Sequence, residues 1–137
     1  MLLTRNRDAQ GDFYLLPGGG QKMGETLHET VIRETAEETG WLVRPGRLLL
    51  VRDYIGANHQ FAGEDGDVHQ VELMFAAELR GRLKDWEPHR DAWQTGSEWL
   101  PLERLGGVRV YPAALADLLP RLEREGYKGP AYLGDVN

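Results

Sequence analysis

Three carboxylates, Glu34, Glu37 and Glu38, crowd one side of a short helical stretch. At about 100° per residue they fall within an arc of roughly 100°. No lysine is interleaved with them. Like charges at this spacing cost a helix about 0.2–0.5 kcal/mol per pair. Arg33 can relieve part of the repulsion by pairing with Glu37 or Glu29, but one guanidinium cannot serve all three. A hard divalent cation turns the repulsion into ligation, and carboxylate oxygens with water suit Mg²⁺ or Mn²⁺. The plain alternative is a solvated acidic face, the commoner fate of a glutamate run.

The helix that must carry these groups spans Thr26–Thr39. Thr26 and Glu29 form a capping box, and Gly40 stands at its C-terminal stop. Val31, Ile32, Thr35, Ala36 and Thr39 cover an adjoining, largely apolar arc that can face a core. Before it, Pro17 and the run Gly18-Gly19-Gly20 exclude regular structure. Such a segment lets backbone approach a ligand with no Cβ in the way. Leu2–Arg5, Phe13–Leu16, Leu48–Tyr54, Val68–Leu79 and Glu98–Leu100 read as strands. Residues 56–67 and 82–97 read as loops. Leu102–Leu105 reads as a brief turn or helix. Pro112–Glu125 reads as a second helix, with Leu115, Leu118, Leu119 and Leu122 at helical spacing. The tail after Gly126 shows no regular period. Strands mixed with two helices predict an α/β layered domain with a mixed or antiparallel sheet.

Composition narrows the chemistry. The chain has 137 residues, which suits one domain over 1–137. It contains no cysteine, so disulfides, thiolate metal sites and cysteine nucleophiles are excluded. Sixteen Lys and Arg against 22 Asp and Glu give a net charge of −6. An acidic chain lacks the field that binds nucleic-acid polymers. It also repels small anionic substrates, which a bound cation would remedy. No apolar run reaches membrane-spanning length, and the first residues are too polar for a secretory signal. A soluble, cytoplasmic protein is expected.

Other signals are weaker. Gly19 and Gly24 imitate a phosphate-binding loop, but its lysine position holds Glu25, which would repel phosphate. His28-Glu29 begins like a zinc-protease motif whose second histidine falls on Ile32. His59, His69 and His89 share no metal spacing. Tyr54, Phe61, Trp86, Trp93 and Tyr111 could stack a base, although core or rim is the usual role for aromatics.

The spacing of Gly19, Glu25, Arg33-Glu34, Glu37-Glu38 and Gly40 resembles the signature of the Nudix (MutT-like) hydrolase family at all seven fixed positions. Thr35 departs from the family's Leu, Val or Ile. LLPGGGQKMGET resembles the family's strand-to-loop entry, and Glu98-Trp99-Leu100-Pro101-Leu102 its Trp-bearing strand. The resemblance implies an α/β/α layered domain with a mixed sheet and a catalytic helix behind a glycine-rich loop. It implies Glu37 and Glu38 as metal ligands, joined by the Gly18 carbonyl. Glu34 would ligate metal or act as base on the attacking water. Glu25 and Arg33 would brace the loop against the helix, with Gly19 and Gly40 as structural positions. A ligand outside the signature is common in relatives, which makes Glu87 and Asp91 candidates. Relatives also place an arginine against substrate phosphates, here Arg5.

The implied reaction is Mg²⁺-dependent hydrolysis of a nucleoside diphosphate linked to another moiety: a nucleoside triphosphate, nucleotide sugar or dinucleotide. The alternative is a nucleotide sensor that binds without turnover. No substrate marker stands out, since the positions near Gly56 and Asn58 lack the family's proline and tyrosine markers. A homodimer is the base-rate expectation.

Overall fold

The computed structural model describes residues 1–87 and 92–137. Among the described residues, seven strands form two sheets. The first runs in the order β5 (Gln94–Trp99), β1 (Leu2–Asp8), β2 (Gly11–Leu15), β6 (Val110–Tyr111). The second runs β4 (His69–Arg82), β3 (Trp41–Ile55), β7 (Ala131–Asp135). Each sheet is mixed: β6 lies parallel to β2 and β7 parallel to β3, while the other pairs are antiparallel. The expected mixed α/β architecture is therefore present, with the strands divided between two sheets.

Helix α1 (Leu27–Thr39) forms for local reasons. The Thr26 N–H donates to Glu29 Oε2 at 2.7 Å, and the Glu29 N–H returns to Thr26 Oγ1 at 3.3 Å. Gly40 ends it at φ 72°, a left-handed geometry that suits glycine, with its N–H on the Ala36 carbonyl at 3.0 Å. The helix packs on β3 and touches β5. Its buried residues are Thr30, Thr35 and Thr39 rather than a full apolar arc, and Ile32 is exposed. The Thr30 and Thr39 hydroxyls bond back to the Thr26 and Thr35 carbonyls, which satisfies them in the buried face.

Alternation in β1 divides two environments. Leu3 joins Leu100, Leu105 and Val110 in a core cluster, against which Ala116 and Leu119 of α3 (Leu115–Glu125) pack. Each buried leucine there contributes about 1.5–3 kcal/mol. Thr4 and Asn6 point the other way and are also buried, linked by the Asn6 amide donating to Thr4 Oγ1.

Several boundaries differ from the sequence reading. β3 starts at Trp41, straight after α1, and carries Pro45 and Gly46 through register irregularities opposite β4. Bulges let a strand absorb such residues. β5 starts at Gln94 because β1 supplies partners for its polar residues. Residues 56–67 hold a 3₁₀ turn, Gly56–Asn58, and a four-residue helix, α2 (Ala62–Asp65). α3 starts at Leu115, after β6 and a turn in which the Leu115 N–H reaches the Pro112 carbonyl.

The tail is structured too. Asp135 at the end of β7 accepts from the Asn58 amide at 2.6 Å and the Ile55 N–H at 3.2 Å, and pairs with His59 Nε2 at 2.5 Å. Among the described residues, no helix is long and apolar enough to cross a membrane.

Candidate active site

Arg33 is the hub of the acidic helix. Its Nε donates to Glu25 Oε1 at 2.5 Å and its Nη2 to Glu25 Oε2 at 2.9 Å. Nη1 donates to Glu34 at 2.5 Å and to Glu37 at 3.1 Å. Nη2 also reaches the Gly20 carbonyl at 3.0 Å. One planar guanidinium therefore joins the glycine-rich loop, its following glutamate and two helix carboxylates, a task suited to a five-donor fork. These hydrogen bonds and surrounding negative charge raise the Arg33 pKa. Glu25 is held at about 2, first by the Arg33 hydrogen bonds and then by the Lys22 N–H.

The loop shapes the site from the other side. The Gly18 N–H donates to Glu38 Oε2 at 2.9 Å. A Cβ on Gly19 would stand 2.6 Å from the Glu34 carboxyl carbon, so glycine makes room for that carboxylate. Gly20 lends its carbonyl to Arg33. Gly18, Gly19, Glu25, Arg33, Glu34, Glu37 and Glu38 are thus brought together.

Arg5 lies elsewhere. It sits on β1 opposite Gly96 and Tyr14, with its Nε on Thr95 Oγ1 at 3.3 Å. Alternation puts it on the Leu3 side of the strand, away from Asn6 and Gln94, whose side faces the end of α1. Glu87 is exposed, and Asp91 and His89 lie outside the described residues.

The residues suit a hard divalent cation. Glu34, Glu37 and Glu38 carry carboxylate oxygens of the kind such an ion takes, and the Gly18 N–H meets one of them, on Glu38. The absence of a Cβ at Gly19 leaves the room that the Glu34 carboxylate fills. Among the described residues, no three acidic or histidine side chains converge tightly enough to constitute a metal site. Arg33 holds Glu34 and Glu37 through one nitrogen. Ligation requires those carboxylates to turn from Arg33.

Three contacts have no local sequence signal. Lys22 Nζ lies 3.7 Å from Glu37 Oε1. The Trp86 indole N–H reaches the Glu37 carbonyl at 3.3 Å, and the Gln94 amide reaches the Glu38 carbonyl at 3.0 Å. The other aromatic candidates are variously placed. Tyr54 stacks on His59 with centroids 5.2 Å apart, Phe61 and Tyr111 pack with Phe13, and Trp93 is exposed.

Residues 1–122 match the family model described as NUDIX domain. A UDP-X diphosphatase structure superposes with a TM-score of 0.64 at 21% identity, over 98% of this chain and 60% of that chain. An ADP-ribose pyrophosphatase from Streptococcus suis 89-1591 gives 0.60 at 20% identity, over 98% of this chain and 88% of that one. A NUDIX hydrolase from Nitrosomonas europaea gives 0.70 at 18% identity, over 99% and 70%. At such identities the likeness is one of fold.

Proposed function

The chain belongs to the NUDIX family, and from that premise we propose that this enzyme is a Mg²⁺-dependent pyrophosphohydrolase acting on a nucleoside diphosphate linked to another moiety. The observation that carries the reading is the arrangement around Arg33: three helix glutamates meet a glycine-rich loop whose Gly18 N–H holds Glu38 and whose Gly19 makes room for Glu34. Two structural neighbours support the substrate class, since UDP-X and ADP-ribose are both nucleoside diphosphates bearing a further group.

In this proposal Glu34, Glu37, Glu38 and the Gly18 carbonyl hold Mg²⁺, with Mn²⁺ as a substitute. A divalent cation bound there supplies charge neutralisation for the phosphates and a lowered pKa for bound water. The Glu34 carboxylate accepts the proton of the attacking water. The water oxygen bonds to phosphorus, the bridging P–O bond breaks, and the departing phosphate carries away the electron pair. Two phosphate-bearing products result. Arg33 and Gly19 both adjoin the Glu34 carboxylate and set its orientation. Arg5 stays in the proposal as a phosphate contact from β1, apart from the metal-binding group. The partner is a small nucleotide, in the cytoplasm, and the working form is a homodimer.

A panel of nucleoside triphosphates, nucleotide sugars and dinucleotides, assayed for product release in Mg²⁺ and in EDTA, tests the reading. Metal-dependent turnover of at least one diphosphate-linked nucleotide is expected. Tight binding across the panel without product would overturn it in favour of a sensor.

A further inference from the structure

Helix α1 ends on two carboxylates, and that end of a helix carries the negative pole of its dipole. Its last turn contains no basic residue. The final carbonyls of a helix also lack partners within it. Left alone, the turn bearing Glu37 and Glu38 should fray.

Two side chains from the β4–β5 segment meet this need. The Trp86 indole N–H donates to the Glu37 carbonyl at 3.3 Å. The Gln94 amide, on a buried side chain, donates to the Glu38 carbonyl at 3.0 Å. The carbonyls served are those of the two residues whose carboxylates would ligate metal. Around them, the Gly40 N–H holds the Ala36 carbonyl at 3.0 Å, and Thr39 Oγ1 holds the Thr35 carbonyl at 2.5 Å. The Trp86 ring is seated against Gly40, where a Cβ would come within 2.7 Å of ring carbon Cδ2. Gln94 is anchored in turn, since it pairs in register with buried Asn6 on β1.

We propose that Trp86 and Gln94 are positioning residues for the metal site: they clamp the last turn of α1 through the Glu37 and Glu38 carbonyls and so set where those two carboxylates point. The metal part of this inference rests on the function proposed above. The clamp on the turn does not. A loop far from the signature in sequence thereby governs how well the signature glutamates bind a cation. Both donors are neutral and approach from the backbone side, so neither competes with a cation for the carboxylates, as Arg33 does.

Trp86→Phe keeps a ring beside Gly40 and deletes the N–H. Gln94→Leu deletes the amide. Three measurements on the full chain separate the outcomes: amide exchange of the Gly40 N–H in metal-free protein, Mn²⁺ affinity by titration, and kcat against KM for a turned-over nucleotide. Loss of a single hydrogen bond of ordinary strength predicts an effect of about three- to tenfold. Gly40 exchange should quicken by that factor in each variant, Mn²⁺ Kd should rise by a similar one, and kcat should fall with little change in KM. Glu37→Gln serves as the control for metal binding. If Gly40 exchange is unchanged in both variants, the clamp is refuted. If exchange quickens and Glu37→Gln weakens Mn²⁺ while both clamp variants bind it like the parent, positioning is refuted. If Glu37→Gln itself leaves Mn²⁺ affinity intact, the metal-site reading fails, and Gly40 exchange alone decides the clamp. Should Gln94→Leu fail to fold, Trp86→Phe decides by the same measurements, since its half-buried ring is kept.

Discussion

Arg33 and Glu25 meet as a two-point fork, Nε to Oε1 at 2.5 Å and Nη2 to Oε2 at 2.9 Å, which ties the glycine-rich loop to the helix behind it. The same guanidinium reaches Glu34 and Glu37. Bracing the loop and orienting the acidic face are one task for one side chain.

Arg33→Lys should therefore be costly despite its preserved charge. An ammonium cannot reproduce the fork or span three glutamates. Hydrogen bonds between charged groups are the stronger ones, so a lower urea midpoint than the parent's is expected. A variant as stable as the parent would show the fork to be incidental.

Acid stability should fall in a defined window. Glu25 is depressed to about 2 by Arg33, Asp8 to about 2 by Arg109, and Asp135 to about 2 by Asn58 and His59. A depressed folded pKa stabilises the fold above the unfolded value and is lost as pH falls toward the folded one. Tm should hold above about pH 4.5 and drop steeply from there toward pH 2. Glu25→Gln together with Asp8→Asn and Asp135→Asn should flatten that drop, as calorimetry across pH would read.

Two glycines should fail in different ways. Gly19→Ala places a methyl on the Glu34 carboxylate, the movable end of a side chain, at a backbone position without positive φ. Stability should change little, while kcat falls on the order of 10²-fold as the carboxylate proposed as base is displaced. Gly40→Ala meets both a φ of 72° and the Trp86 ring. It should lose about 1–2 kcal/mol of stability from the left-handed geometry alone. Equal effects of the two on thermal unfolding would contradict this division.

Glu37→Gln and Glu38→Gln should each cut turnover at least on the order of 10²-fold in saturating Mg²⁺, and EDTA should abolish it. Product release at fixed nucleotide measures both. Parent-level hydrolysis by either variant would remove that residue from the metal site.

Asp135→Ala should loosen the end of β7, where one carboxylate holds Asn58, His59 and the Ile55 N–H. A measurable loss of stability is expected, since a charged acceptor with several donors is removed. Hydrogen exchange at Ile55 should rise in parallel. An unchanged Ile55 amide would mean that β7 is held by its strand pairing alone.

Helix α1 and its loop are legible in the order of residues. Their determinants are local: a capping box four residues long, a left-handed glycine, and a charge pattern repeating with the helical turn. The placement of the signature residues follows from that locality, because helix hydrogen bonds span four residues. The two-sheet division, β6 and β7 are not legible in this way. β7 is five residues without clear alternation, and it exists because β3 offers a parallel edge about 80 residues earlier. Pro45 and Gly46 look like an interruption, and only pairing with β4 carries a strand through them.

Within the acidic helix, then, the amino-acid order alone determined which carboxylates share a face and where that face begins and ends. It could not say which side of β1 Arg5 joins, nor that Trp86 and Gln94 reach back to the helix end across 49 and 56 residues. Those relations depend on strand register and sheet packing, which are settled by the burial of the whole chain and leave no period in any short stretch of it.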